Sequence, residues 1–134
     1  MEHKFTEKQK KYFEPVLEWL DAGGKHVASF DMRRWFSSDG CGTAMCIGGA
    51  LTQFNDDLRG FLEGGEIEEV MSVPKDFFDV LFYPGDMKRG EEESGDYEEA
   101  DKLPEYFEVT PQWAAATIRD MLDTGEINWM RNKP

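Results

Sequence analysis

Cys41-Gly42-Thr43-Ala44-Met45-Cys46-Ile47-Gly48-Gly49-Ala50-Leu51-Thr52-Gln53-Phe54 is the stretch on which the fold turns. Ala44, Ile47, Leu51 and Phe54 recur at helical intervals, and Thr43 can cap free backbone N–H groups, so the spacing predicts a helix from about Thr43 to Asn55. Gly48 and Gly49 inside it each cost about 1 kcal/mol relative to Ala, so packing has to compensate, most simply by close approach of another backbone. A crowded interior helix is the expectation.

Downstream, Asp57 to Leu62 is expected to form one short helical turn before Gly64-Gly65. Val73-Pro74 opens a helix carrying Phe77, Phe78, Leu81 and Phe82, and Tyr83-Pro84-Gly85 closes it. Residues 85–100 are acidic and glycine-punctuated and read as a mobile loop. Thr110-Pro111 is a strong helix start, with Ala114, Thr117, Ile118, Met121 and Leu122 on one face and Gly125 as the stop. Upstream, Thr6 caps a helix to about Ala22 with Phe13, Val16, Leu17 and Leu20 on its apolar face, ended by Gly23-Gly24 and kinked or broken at Pro15. Ser37-Ser38-Asp39-Gly40 reads as a turn. The whole predicts a mainly α fold: one compact domain over 1–134, of four to five short helices, with the Thr110 helix beside the Thr43 helix and a minor β element near Val27 or Ile127.

With 134 residues, ten Phe and four Trp, the chain can bury one real core. Fifteen Lys plus Arg face 28 Asp plus Glu, a net charge of -13, which disfavours direct binding to nucleic acid or an anionic membrane. No apolar run approaches the roughly 18 residues of a spanning helix, and the start lacks the apolar region of a secretory signal, so a cytoplasmic setting with reduced thiols is expected.

Two alternatives for function stay open. Cys41 and Cys46, with His26 or His3 to help, are the candidate set for a thiol or zinc site, and zinc normally needs four ligands. Cys41 at a helix start could hold a thiolate, with His26 as base. The bland alternative is two buried or capping thiols. No Gly-x-Ser-x-Gly, P-loop, His-Glu-x-x-His or dinucleotide fingerprint occurs, and the reading adopted is non-enzymatic with no cofactor.

The second alternative lies in the charge. Residues 56–69 carry net -5 and residues 86–108 net -7, nearly the whole excess. Asp56, Asp57, Glu63, Glu66, Glu68 and Glu69 in the first block, and Glu91, Glu92, Glu93, Asp96, Glu98 and Glu99 in the second, are candidates for a surface that meets a basic protein, with Tyr97 as an aromatic anchor. Gathered together, such carboxylates would stand where phosphates stand in a nucleic-acid channel.

Phe30-Asp31-Met32 with Trp35, then Cys41 to Ala50, Leu81-Phe82-Tyr83, and Thr110-Pro111-Gln112 with Ala114 and Ile118, together resemble a family of small phage, prophage and bacterial proteins. Its mark is a Cys-Gly-Thr-x-x-Cys-hydrophobic-x-Gly core, and the similarity covers most of the chain. The resemblance implies a phage or mobile-element setting and no particular activity. Pro15 and the acidic blocks are departures from that pattern. The combined expectation is a phage-type interaction protein that binds a basic host protein or nucleoprotein complex in the host cytoplasm, inhibiting a nucleic-acid-binding defence complex by charge mimicry.

Overall fold

Thr6 opens the first helix through a closed capping box. Its hydroxyl accepts from the Gln9 N–H at 3.1 Å, and Gln9 Oε1 accepts from the Thr6 N–H at 2.9 Å. The structure, a computed structural model, describes residues 2–25, 28–39 and 42–134. Helix α1 (Glu7–Asp21) continues through Pro15 without the expected break. Tyr12, Phe13, Val16, Trp19 and Leu20, on both sides of the proline, are buried, and that packing outweighs the missing N–H. Gly23 and Gly24 end the helix with φ of 94° and 64°, and the Gly24 N–H donates to Trp19 O at 2.9 Å.

A small sheet follows. Strands β1 (Ser29–Phe30), β2 (Phe36–Asp39) and β3 (Gly42–Met45) lie in the order β1-β3-β2, with β1 parallel and β2 antiparallel to β3. Ser37 to Asp39 are therefore strand rather than turn, and the β element begins at Ser29, close to Val27, which itself lies outside the described residues, rather than at Ile127. Helix α2 (Ile47–Phe54) begins at Ile47 instead of Thr43. Gly42–Met45 satisfy their backbone groups by pairing on both sides, which a helix start would forfeit. Cys46 takes over as N-cap, its sulfur accepting from the Gly49 N–H at 3.5 Å. Ile47, Ala50 and Leu51 are fully buried, as expected of an interior helix.

After a 3₁₀ turn at Asp56–Leu58 come α3 (Gly64–Met71), α4 (Asp79–Phe82), α5 (Pro84–Glu93) and α6 (Tyr97–Ala100). Residues 84–100 are thus two helices, not a loop. Pro84 occupies the first position of α5, where its missing N–H has no intrahelical partner anyway, so it opens a helix instead of closing one. Helix α3 was hidden by Gly64-Gly65, but it buries Ile67 and Met71 one turn apart. The described residues hold seven α-helices, more than the four to five expected, in a mainly α fold.

Helix α7 (Pro111–Thr124) matches its sequence signals: Thr110 accepts from the Trp113 N–H at 3.2 Å, and Gly125 closes the helix at φ 80°. It packs chiefly along α1 rather than α2. The strip after it is pinned through tryptophans. Trp113 Nε1 donates to Trp129 O at 2.7 Å, and Trp129 Nε1 donates to Val80 O at 2.6 Å. Residues 126–131 therefore lie against α4, and they line a groove together with Met87 and Glu91 of α5 and Glu99 of α6. Among the described residues no helix is long and apolar enough to cross a membrane.

Candidate functional site

Helices α5 and α6 pack on each other, tied by Lys88 Nζ donating to Ala100 O at 2.8 Å. Their carboxylates divide by role. Asp96 caps α6, accepting from the Glu99 N–H at 3.2 Å, and Glu99 pairs with Lys102 at 2.7 Å. Asp86 pairs with Arg89. Glu92, Glu93 and Glu98 are exposed, and their side chains make no hydrogen bond or ion pair among the described residues. Asp101, which the sequence reading passed over, is likewise exposed and unpaired. Tyr97 is 64% exposed, so it stands clear of the core. Tyr106 instead lies over Gly85, its hydroxyl accepting from the Asp86 N–H at 3.3 Å, and burial first pushes its phenol up to about 12.

The first block is more heterogeneous. Glu63 and Glu69 are exposed, Glu66 accepts from the Leu62 N–H at 3.2 Å, and Asp56 pairs with Arg59 at 3.1 Å. Asp57 accepts from the Tyr12 hydroxyl, and this hydrogen bond, ahead of burial, pushes the phenol up to about 12. Glu68 does not belong to the surface at all. It is 2% exposed, and its two carboxylate oxygens accept from the Asp76 and Phe78 N–H groups at 2.8 Å each. Burial raises its carboxyl above the usual range, against those two donors. As a partner-binding candidate Glu68 is therefore corrected to an internal clamp on the 72–78 turn.

The two blocks approach each other at a groove of about 430 Å³. Leu62 and Asp86 share its lining with Trp35 and Tyr83, whose rings stack at 6.3 Å, and with Arg33 and Arg89. The seam is not uniformly negative, because both arginines lie there, paired with Asp31 and Asp86. Glu91 and Glu99, by contrast, line a different groove together.

The thiol alternative finds no support at Cys46. The sulfur is buried, serves as a helix cap, and burial pushes it up to about 11. Cys41 and His26 lie outside the described residues. Among the described residues no three His, Cys, Asp or Glu side chains gather as a metal site.

A larger groove, of about 640 Å³, was missed from the sequence. Its floor combines Val80, Met87 and Leu103 with Ile127, Trp129 and Met130, which come together only because the tryptophans pin the last strip on α4. The alternation of Ile127 and Trp129 was the one local hint. No family model, curated protein or solved structure matches the chain.

Proposed function

We propose that the chain is a non-enzymatic interaction protein that binds a basic protein through the acidic surface of α5 and α6. The observation that carries the reading is that Glu92, Glu93 and Glu98 stand exposed and unpaired on helices that hold them in place. A net charge of -13 adds a long-range field that steers a cationic partner toward them. On α5, the carboxylates from Asp86 to Glu93 spread over roughly 10 Å of helix, a scale comparable to neighbouring phosphates of a nucleic-acid backbone. The partner of best fit is thus a protein or nucleoprotein with a phosphate-binding channel, and inhibition of such a host defence complex by a phage-type protein belongs to the same proposal.

The test is charge reversal. Replacing Glu91, Glu92, Glu93, Glu98 and Glu99 with Lys is expected to abolish capture of nucleic-acid-binding proteins from host lysate at low salt and to leave the Tm nearly unchanged. Competing DNA should release the captured protein, and raised salt should weaken capture. Equal capture by the reversed variant would retire the reading.

A further inference from the structure

The 640 Å³ groove does not stand alone. A second groove of about 450 Å³ shares Val80, Glu99, Lys102, Glu126 and Ile127 with it, so the two form one trough from Met87 to the neighbourhood of Glu2 and Asp76. Val80, Met87, Ile127 and Met130 are half-buried, which leaves an apolar floor open to solvent. The rim is acidic in effect. Its two cations are already engaged, Lys102 with Glu99 at 2.7 Å and Arg131 with Asp120 at 2.5 Å. Glu91, Glu126, Asp76 and Glu2 have no side-chain hydrogen bond or ion pair among the described residues.

An apolar floor between unpaired carboxylates is complementary to one kind of segment, an amphipathic helix whose apolar face is flanked by Lys or Arg. We propose that this trough anchors such a basic amphipathic helix of the partner. Its apolar side chains seat on Val80, Met87, Ile127 and Met130, and its cations meet Glu91 and Glu126. The proposal rests on the reading of a basic partner and adds where that partner is gripped. Three of the rim carboxylates, Glu2, Asp76 and Glu126, lie outside the two acidic blocks.

The experiment titrates the full chain with a labelled amphipathic Leu/Lys peptide of about four turns, and with oligolysine of equal charge. The amphipathic peptide should bind at least about tenfold more tightly. In a methionine-methyl-labelled sample it should shift Met87 and Met130 and leave the fully buried Met45 and Met121 in place. Glu126→Lys combined with Glu91→Lys should weaken binding by about tenfold or more, whereas Glu14→Lys with Glu18→Lys, exposed on α1 and outside the trough's lining, should change it much less. Equal binding of oligolysine with still Met87 and Met130 signals overturns the trough and leaves general acidic recognition standing. Binding of neither peptide overturns both. Shifts at Met87 and Met130 that grow with protein concentration alone would assign the trough to a second copy of the chain and overturn the peptide proposal.

Discussion

Gly49 of α2 lies directly against the backbone carbonyl of Trp35, so close that a Cβ on Gly49 would overlap the carbonyl oxygen. The Trp35 ring covers Gly48 in the same way, and its indole N–H donates to Phe61 O at 2.9 Å. Two adjacent glycines thus let the helix meet the connecting segment with no side chain of its own in between.

Gly49→Ala is therefore expected to be among the most damaging single substitutions. The obstruction is backbone and cannot rotate away, so the loss should exceed about 3 kcal/mol and show in chemical denaturation or as an insoluble product. Gly90→Ala in α5 is the contrast, since nothing lies within 4 Å of the added carbon. It should gain about 0.5–1 kcal/mol, read as a higher Tm.

Glu68 clamps a turn in which Ser72 and Asp76 hold positive φ of 60° and 66°. Glu68→Ala strands the Phe78 N–H in the core and releases Asp76, and should lower stability by about 2–3 kcal/mol. Urea midpoints at unchanged slope would measure it. Full retention of the wild-type midpoint would refute the clamp.

With its thiol pushed up to about 11 from 9.0, Cys46 carries roughly a hundredfold less thiolate at neutral pH than an ordinary cysteine. In a Cys41→Ser background, labelling by a disulfide reagent should be slower by at least that factor and become fast in denaturant. Rapid labelling of the folded protein would contradict the buried cap.

Arg119 on α7 grips Asp21 at the end of α1 through Nη1–Oδ1 at 3.0 Å and Nη2–Oδ2 at 2.5 Å. This hydrogen bonding holds the Asp21 carboxyl below the usual aspartate value. A depressed folded-state value means that the pair's stabilisation is complete above the ordinary aspartate range and disappears as pH falls through the depressed one. Both side chains are half exposed, so the contribution is at most about 1 kcal/mol. The Tm difference between wild type and Asp21→Asn should be small and positive at neutral pH and close toward zero in acid.

Local signals were read from the sequence where they were complete within a few residues. Thr6, Thr110 with Pro111, and the stops at Gly23-Gly24 and Gly125 each satisfy backbone groups close by, so α1 and α7 could be placed. The Gly48-Gly49 pair announced close approach before any partner was known. Strands β2 and β3 were not legible, because Thr43 offers the same capping chemistry to a helix as to no helix, and only pairing across the sheet decides. The acidic stretch at 84–100 looked like solvent-loving loop because its helices bury little of their own: Pro84, Gly85 and Ala100. Glu68 was misjudged for a related reason. Whether a carboxylate faces water or the interior was settled by donors eight and ten positions later.

Only Cys46 separates β3 from α2, and α2 is locked face to face on Trp35, the residue just before β2. Sheet and helix thus make one mechanical piece: a fluctuation that frees either has to free both. Amides of such a joined unit exchange with solvent together, through a shared opening, while the chain ends and exposed turns breathe on their own.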